Sequence, residues 1–291
     1  MRYHGTVIRP PSEAHSYILQ VTYGCSHNRC TFCGTYLDKP FRPRETAEVL
    51  EDIRAAGEQM PGARRVFLAD GDALALSSAR LTVILDALRE AFPALERVGT
   101  YANAGNLLHK TPDELHTLRK KGLGIVYLGL ESGDDRVLAQ VDKGASAAEM
   151  VTAVRKAKGA GLLTSVIAIL GLAGRDGSAE HARLTGEVAS RMDPDYFSML
   201  TLMLVPGTPL HRDWESGAFH PPEPEGMLAE LRGVIENLDG LTRCVFRTNH
   251  ASNYLPLAGT LPGDKSRLLA TIDTALGSGR EALRPEAWRG L

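Results

Sequence analysis

Along residues 16–205 two kinds of apolar pattern take turns. Short, nearly unbroken apolar runs alternate with longer stretches in which apolar positions recur every three or four residues. The first pattern reads as buried strand and the second as amphipathic helix. The runs fall at 16–22 (SYILQVT), 65–69 (RVFLA), 98–102, 124–130 (GIVYLGL), 163–170 and 196–205 (YFSMLTLMLV). Between them, a helix is expected from about Thr46, with Val49, Leu50, Ile53 and Ala56 on one face and a break at Pro61-Gly62. Another is expected over 78–92, with Leu81, Ile84, Leu85 and Leu88 aligned, and a third around 179–192. Thr111-Pro112-Asp113-Glu114 and Ser146-Ala147-Ala148-Glu149 have the form of capping boxes, so each marks a helix start. Gly122 and the segment 159–161 are placed to end those two helices.

Strand and helix alternating at this pace imply a parallel sheet with right-handed crossovers. The expected class is α/β, as a partial (β/α)6 barrel with a C-terminal mixed extension. The expected division is a barrel over 1–205 and an extension over 206–291 placed to cover the barrel mouth. The extension opens with the stiff connector Pro221-Pro222-Glu223-Pro224 and holds helical patterns over 227–238 and 264–276, with a mixed polar and apolar stretch over 244–254 between them.

Composition narrows the function. The formal net charge is −2, and the 33 basic residues are scattered, unlike the basic stripe of a dedicated nucleic-acid binder. No apolar run is long enough to span a bilayer, and no charged-then-apolar leader is visible, so a cytoplasmic protein is expected. Of four cysteines, Cys25, Cys30 and Cys33 lie within nine residues, which points to a metal and not to a disulfide scaffold. Three thiolates after a strand can hold three irons of a cubane and leave the fourth open to an exogenous ligand. A zinc site completed by His27 is the competing reading of the same loop. The fourth cysteine, Cys244, has the character of a small core residue, with hydrogen-atom donation as its functional alternative.

The cysteine loop, Tyr23-Gly24-Cys25-Ser26-His27-Asn28-Arg29-Cys30-Thr31-Phe32-Cys33, resembles that of the radical S-adenosylmethionine (SAM) superfamily. Its spacing is C-x4-C-x2-C, one residue longer in the first gap than the usual C-x3-C-x2-C. The resemblance implies a [4Fe-4S] cluster on Cys25, Cys30 and Cys33 and SAM on the open iron. It further implies reductive cleavage to a 5′-deoxyadenosyl radical and hydrogen abstraction from a substrate that the chain does not identify. An electron donor such as flavodoxin or ferredoxin is the implied partner. By position, Phe32 would border the adenine and Asp72, in Asp70-Gly71-Asp72, would receive the SAM ammonium. Asn103, after the third run, would touch SAM or substrate. Gly129-Leu130-Glu131-Ser132-Gly133 is similar to a segment of the branch that contains the Elongator catalytic subunit, methylthiotransferases and oxygen-independent coproporphyrinogen oxidase. On that likeness Glu131 and Ser132 would hold SAM's polar end and ribose, and Gly171 would meet adenine. Thr35 stands where the coproporphyrinogen enzyme carries a further cysteine, so a porphyrin substrate is not carried over. In the extension, Arg247-Thr248-Asn249-His250-Ala251-Ser252-Asn253-Tyr254 is dense in hydrogen-bonding groups, which makes His250 and Tyr254 candidate catalytic residues beside Cys244. Two other readings of the loop remain open: an iron–sulfur sensor or electron-transfer module, and a zinc-dependent hydrolase.

Overall fold

The computed structural model describes residues 2–290. The chain divides into two compact units, the first made of Met1–Asn28, Thr35–Leu128 and Ala153–Thr164, the second of Arg29–Gly34, Gly129–Thr152 and Ser165–Leu291.

In the first unit, β1 (Tyr17–Gln20) leads into β2 (Thr22–Tyr23), which pairs antiparallel with β3 (Arg42–Pro43). There follow α1 (Thr46–Gln59), β4 (Arg65–Ala69), α2 (Ser78–Ala91), β5 (Arg97–Ala102), α3 (Ala104–His109), α4 (Pro112–Lys120) and β6 (Leu123–Glu131). Strands β1, β4, β5 and β6 lie side by side in that order, all parallel. Helices α1 and α2 bury the stripes that their spacing announces: Val49, Ile53 and Ala56 on one, Leu81, Ile84, Leu85 and Leu88 on the other. Both capping boxes form. The Thr111 hydroxyl accepts from Glu114 N while the Glu114 carboxylate accepts from Thr111 N, and Ser146 and Glu149 make the same reciprocal pair. Near the strand N-termini, the fully buried Glu13 meets Arg97 at 2.5 Å and accepts from the Tyr127 hydroxyl, so its charge is compensated in place.

The chain continues with α5 (Asp135–Gln140), α6 (Ala147–Gly159), whose residues 153–159 belong to the first unit, and β7 (Leu163–Leu170), which enters the second unit at Ser165; within the second unit follow α7 (Gly174–Met192), β8 (Tyr196–Thr201), α8 (Pro209–Glu215), α9 (Pro224–Glu236), β9 (Cys244–Arg247), β10 (Ala258–Leu261) and α10 (Lys265–Ser278). Strands β7, β8 and β9 are parallel, and β10 pairs antiparallel with β9. Segment 206–291 thus does more than the expected extension. It adds a parallel strand beside β8 and a returning edge strand, and α9 packs on α7. The sequence pattern missed β9 because four residues of alternating burial carry too little periodicity to stand out. The short helices α3, α5 and α8 went unread for the same reason; each has six or seven residues. Helix α7 begins at Gly174, about one turn before the expected start.

Candidate functional site

In the first unit, three strand ends contribute to one polar constellation. The loop after β2 carries Ser26, the turn after β4 carries Asp70 and Asp72, and the N-terminus of α3 after β5 carries Asn103 and Asn106. Asp72 is fully buried. Its Oδ2 accepts from the Ser26 hydroxyl and from Asn103 Nδ2 at 2.9 Å, and its Oδ1 accepts from Asn106 Nδ2. Asn103 also caps α3, with Oδ1 accepting from Asn106 N at 2.8 Å. The structure therefore brings together Asp72 and Asn103, two residues picked out separately in the sequence, and adds Ser26 and Asn106. Lys110 lies close by, its Nζ donating to Leu76 O at 2.8 Å, and burial pushes its pKa down.

Asp70, two residues earlier, has a different task. It is fully buried, and its Oδ2 accepts from Lys39 Nζ at 3.0 Å, Gln20 Nε2 at 2.8 Å and Gly24 N at 3.2 Å. This carboxylate fixes the backbone immediately before Cys25. The fold thus makes Asp70 the anchor of the cysteine loop.

In the second unit, segment 30–33 turns tightly, with Cys33 N donating to Cys30 O at 3.1 Å, and Thr31 is held from both sides by Val141 O and Leu210 N. Phe32 packs against an apolar cluster of Val137, Val141, Leu172, Leu202 and Leu210. Glu131 ends β6 in the left-handed region, φ 62°, and its carboxylate meets Lys143 Nζ at 2.7 Å. A Cβ on Gly129 would lie 1.9 Å from Glu131 Oε1, so only glycine lets that carboxylate fold back. A non-glycine residue held at positive φ at a strand end is the kind of strained position that functional sites retain.

The neighbouring Ser132 is fully buried, and its hydroxyl accepts from Asp134 N at 2.9 Å within its own turn. Gly171 sits just beyond β7 at φ 83°, its N–H donated to Glu230 Oε1 at 2.7 Å.

The extension's candidates divide. The loop over 250–254 lies at the C-terminal end of β8, where Thr201 Oγ1 donates to Asn253 Oδ1 at 2.9 Å and Thr201 N to Ser252 Oγ at 3.3 Å. His250 Nδ1 accepts from Ser252 N at 3.1 Å, and burial followed by the Arg284 guanidinium pushes its pKa down. The Tyr254 hydroxyl is occupied: it donates to Glu286 at 2.6 Å and accepts from Arg289, whose guanidinium stacks 4.1 Å from the ring centroid. Burial raises its pKa, and that pairing makes it a clamp for the tail and not an acid–base group. Cys244 is fully buried at the N-terminal start of β9, in register beside the start of β8 and so at the opposite end from Thr201. Hydrogen-atom donation by Cys244 is therefore set aside, because that residue is core at the wrong end of the strand.

No disulfide joins any of the four cysteines, and Cys25, Cys30 and Cys33 are each half-buried. Among the described residues, no three His, Cys, Asp or Glu side chains converge as a metal site. The fit to a cluster rests on donor chemistry: three accessible thiols that no disulfide consumes, in one loop whose approach is anchored by Asp70.

Several residues went unread in the sequence. Glu230 interrupts the apolar face of α9 that Met227, Leu231 and Val234 define, a pattern visible in retrospect. His181 stands likewise among Thr185, Val188 and Met192 on α7. Lys39 and Asn106 carry no comparable signal. Among the described residues, no helix is long and apolar enough to cross a membrane.

Comparison with known proteins gives these strand ends a family. The chain is 28% identical over 150 residues to a protein of Methanocaldococcus jannaschii assigned by name to the methylthiotransferases, covering 48% of this chain and 31% of that protein. It is 20% identical over 189 residues to the heme chaperone HemW of Bacillus subtilis, covering 65% and 48%. The chain thus spans about a third to a half of the length of these curated relatives. The solved structure of coproporphyrinogen III oxidase (HemN) from Escherichia coli superposes with a TM-score of 0.58 at 18% identity, over 78% of this chain and 53% of that one. That likeness shows the fold, a mostly parallel sheet in a partial TIM-barrel-like arrangement. The model of the radical SAM superfamily, whose members use a [4Fe-4S] cluster and SAM, matches residues 19–184. With more than half its length inside that match, the chain belongs to the radical SAM superfamily.

Proposed function

We propose that this chain is a radical SAM enzyme in which Cys25, Cys30 and Cys33 hold a [4Fe-4S] cluster. The observation that carries the reading is the family match over 19–184, a span that includes the three cysteines together with Asp72, Asn103, Glu131 and Gly171. Held by Cys25, Cys30 and Cys33, such a cluster would supply the one-electron reduction by which the superfamily cleaves SAM.

The chain's own residues bind, orient and exclude water. Asp72 offers a carboxylate to the SAM ammonium, with Ser26, Asn103 and Asn106 holding its oxygens in place. Asp70 and Lys39 keep Gly24, and so the start of the cysteine loop, in a fixed position. Glu131, steadied by Lys143, takes part in holding the polar end of SAM. The turn at Gly171 would meet the adenosine, and the apolar cluster around Leu172 would keep water from that side. His250, on the loop after β9, is the remaining candidate for contact with substrate. A small electron-transfer protein such as flavodoxin or ferredoxin supplies the electron.

The test is anaerobic reconstitution, with iron and sulfide assayed, followed by reduction in the presence of SAM. Mass spectrometry should find 5′-deoxyadenosine and methionine, and Cys33→Ala should lose both the products and the cluster. A cluster that never cleaves SAM would instead favour a sensor or electron-transfer module. Zinc in place of iron, in protein purified without oxygen, would overturn the reading.

A further inference from the structure

The most deeply buried ionisable pair in the second unit lies outside every motif of the sequence. Glu230, on α9, and His181, on α7, both have fully buried side chains, with His181 Nδ1 2.9 Å from Glu230 Oε1. The same Oε1 accepts from Gly171 N at 2.7 Å, and Oε2 accepts from the Ser178 hydroxyl. His181 Nε2 is buried with no hydrogen-bond partner. A neutral imidazole there leaves a lone pair unmet, and a protonated one leaves an N–H unmet. Cores seldom keep such an arrangement without a return elsewhere.

That return is visible at the end of β7. Beyond Leu170 the chain leaves the ladder, and its N–H groups need new acceptors. Gly171 N finds Glu230, Gly174 N closes the turn on Gly171 O at 3.1 Å, and Arg175 N finds His220 O at 2.7 Å. A Cβ on Gly171 would stand 2.4 Å from Met227 Cε, so the turn rests directly on α9. Two of these three amides are held by segment 206–291 and by no group of the strand that precedes them.

We propose that Glu230 is a positioning residue: from the C-terminal segment it sets the backbone of the 171–174 turn in the shape that receives the adenosine of SAM. The inference rests on the radical SAM reading above for its ligand, and on the Glu230–Gly171 geometry for its mechanism. Glu230 touches no substrate; it acts through the Gly171 amide. A carboxylate suits the task, because one oxygen accepts from Gly171 and His181 while the other accepts from Ser178, which fixes the side chain in two directions.

The experiment compares wild type, Glu230→Ala, Glu230→Gln and Ser178→Ala. Amide hydrogen exchange of peptides covering 171–175 is followed in apoprotein, where neither cluster nor SAM is needed. SAM affinity is then measured by equilibrium dialysis on reconstituted protein, with iron content and the EPR signal of the reduced cluster as controls. Glu230→Ala should accelerate exchange at 171–175 and weaken SAM binding about tenfold, the size of one lost buried hydrogen bond, with iron content and the SAM-free EPR signal unchanged. Glu230→Gln, which keeps an acceptor for Gly171 N, should retain most of the affinity. Ser178→Ala should move both readouts in the same direction by less, and it decides the matter if Glu230→Ala does not fold. Faster exchange with unchanged SAM affinity in Glu230→Ala or Ser178→Ala would overturn the inference, as would lost affinity without faster exchange. Wild-type protein that assembles its cluster yet never binds SAM would overturn the radical SAM reading and this inference together. Wild type that binds SAM, with variants that bind it equally well, would overturn the inference alone.

Discussion

The two units arm their strand ends in different ways. In the first, most partners of the buried carboxylates are side chains: Asp70 is met by Lys39 and Gln20 beside the Gly24 amide, and Asp72 by Ser26, Asn103 and Asn106. In the second, the ends of β7 and β8 are wrapped by an apolar cluster, and the buried carboxylate of Glu230 holds the Gly171 backbone amide as well as the His181 and Ser178 side chains. The first arrangement presents fixed charge; the second presents shaped, dry backbone. The contrast also explains why the first unit was easier to read. Charged residues in strand-end turns stand out in a sequence, whereas a backbone amide leaves no trace in it.

The contrast can be broken most severely at Lys39. Its side chain is 6% exposed and that of Asp70 0%, so Lys39→Met strands a buried carboxylate and should cost about 3–5 kcal/mol. Urea denaturation measures this, and the double variant Lys39→Met/Asp70→Asn should recover most of the loss. Equal instability in both variants would mean that Lys39 matters for packing and not for charge. On the apolar side, Leu172→Ala removes a residue 2% exposed from the cluster and should cost about 3 kcal/mol by the same measurement. A loss under about 1 kcal/mol would show that the cluster collapses to fill the space.

Asp72→Asn sharpens the comparison further. It places an amide N–H₂ against donors that a carboxylate accepts, and should cost about 1–3 kcal/mol. SAM cleavage should fall more than stability does, read as 5′-deoxyadenosine formed per cluster. The smallest effect concerns pH. Burial and Arg284 hold the His250 pKa below its unfolded value near 6.5, so the folded state favours the neutral ring. Its contribution is present above about pH 6.5 and is lost as the pH falls below that value. Stability followed from pH 7.5 to 5 should show this slope, and His250→Gln should flatten it. A slope unchanged in the variant would assign it to other groups.

How much could be read without coordinates varies with range. The strands at 65–69 and 163–170 match the observed β4 and β7 in full, because each is fixed by its own run of apolar residues between punctuating glycines, prolines and polar turns. The helix starts at Thr111 and Ser146 were equally plain, since a capping box is complete within four residues. The cysteine triad is likewise a local pattern, complete within nine residues. Asp72 and Asn103 were singled out separately, and only the fold put them 2.9 Å apart.

What the sequence determined by itself was therefore the α/β alternation, the cap positions and the chemical identity of the donors, all properties written within a few consecutive residues. The tertiary structure alone decided which carboxylate meets which partner. It buried Asp70 against Lys39, 31 residues away, and Glu230 against Gly171, 59 residues away. It also turned a stretch of the C-terminal segment into β9 and placed Cys244 in the core at the far end of that strand. Such pairings depend on packing between elements distant in the chain, and neither periodicity nor spacing records which helix a strand end will rest on.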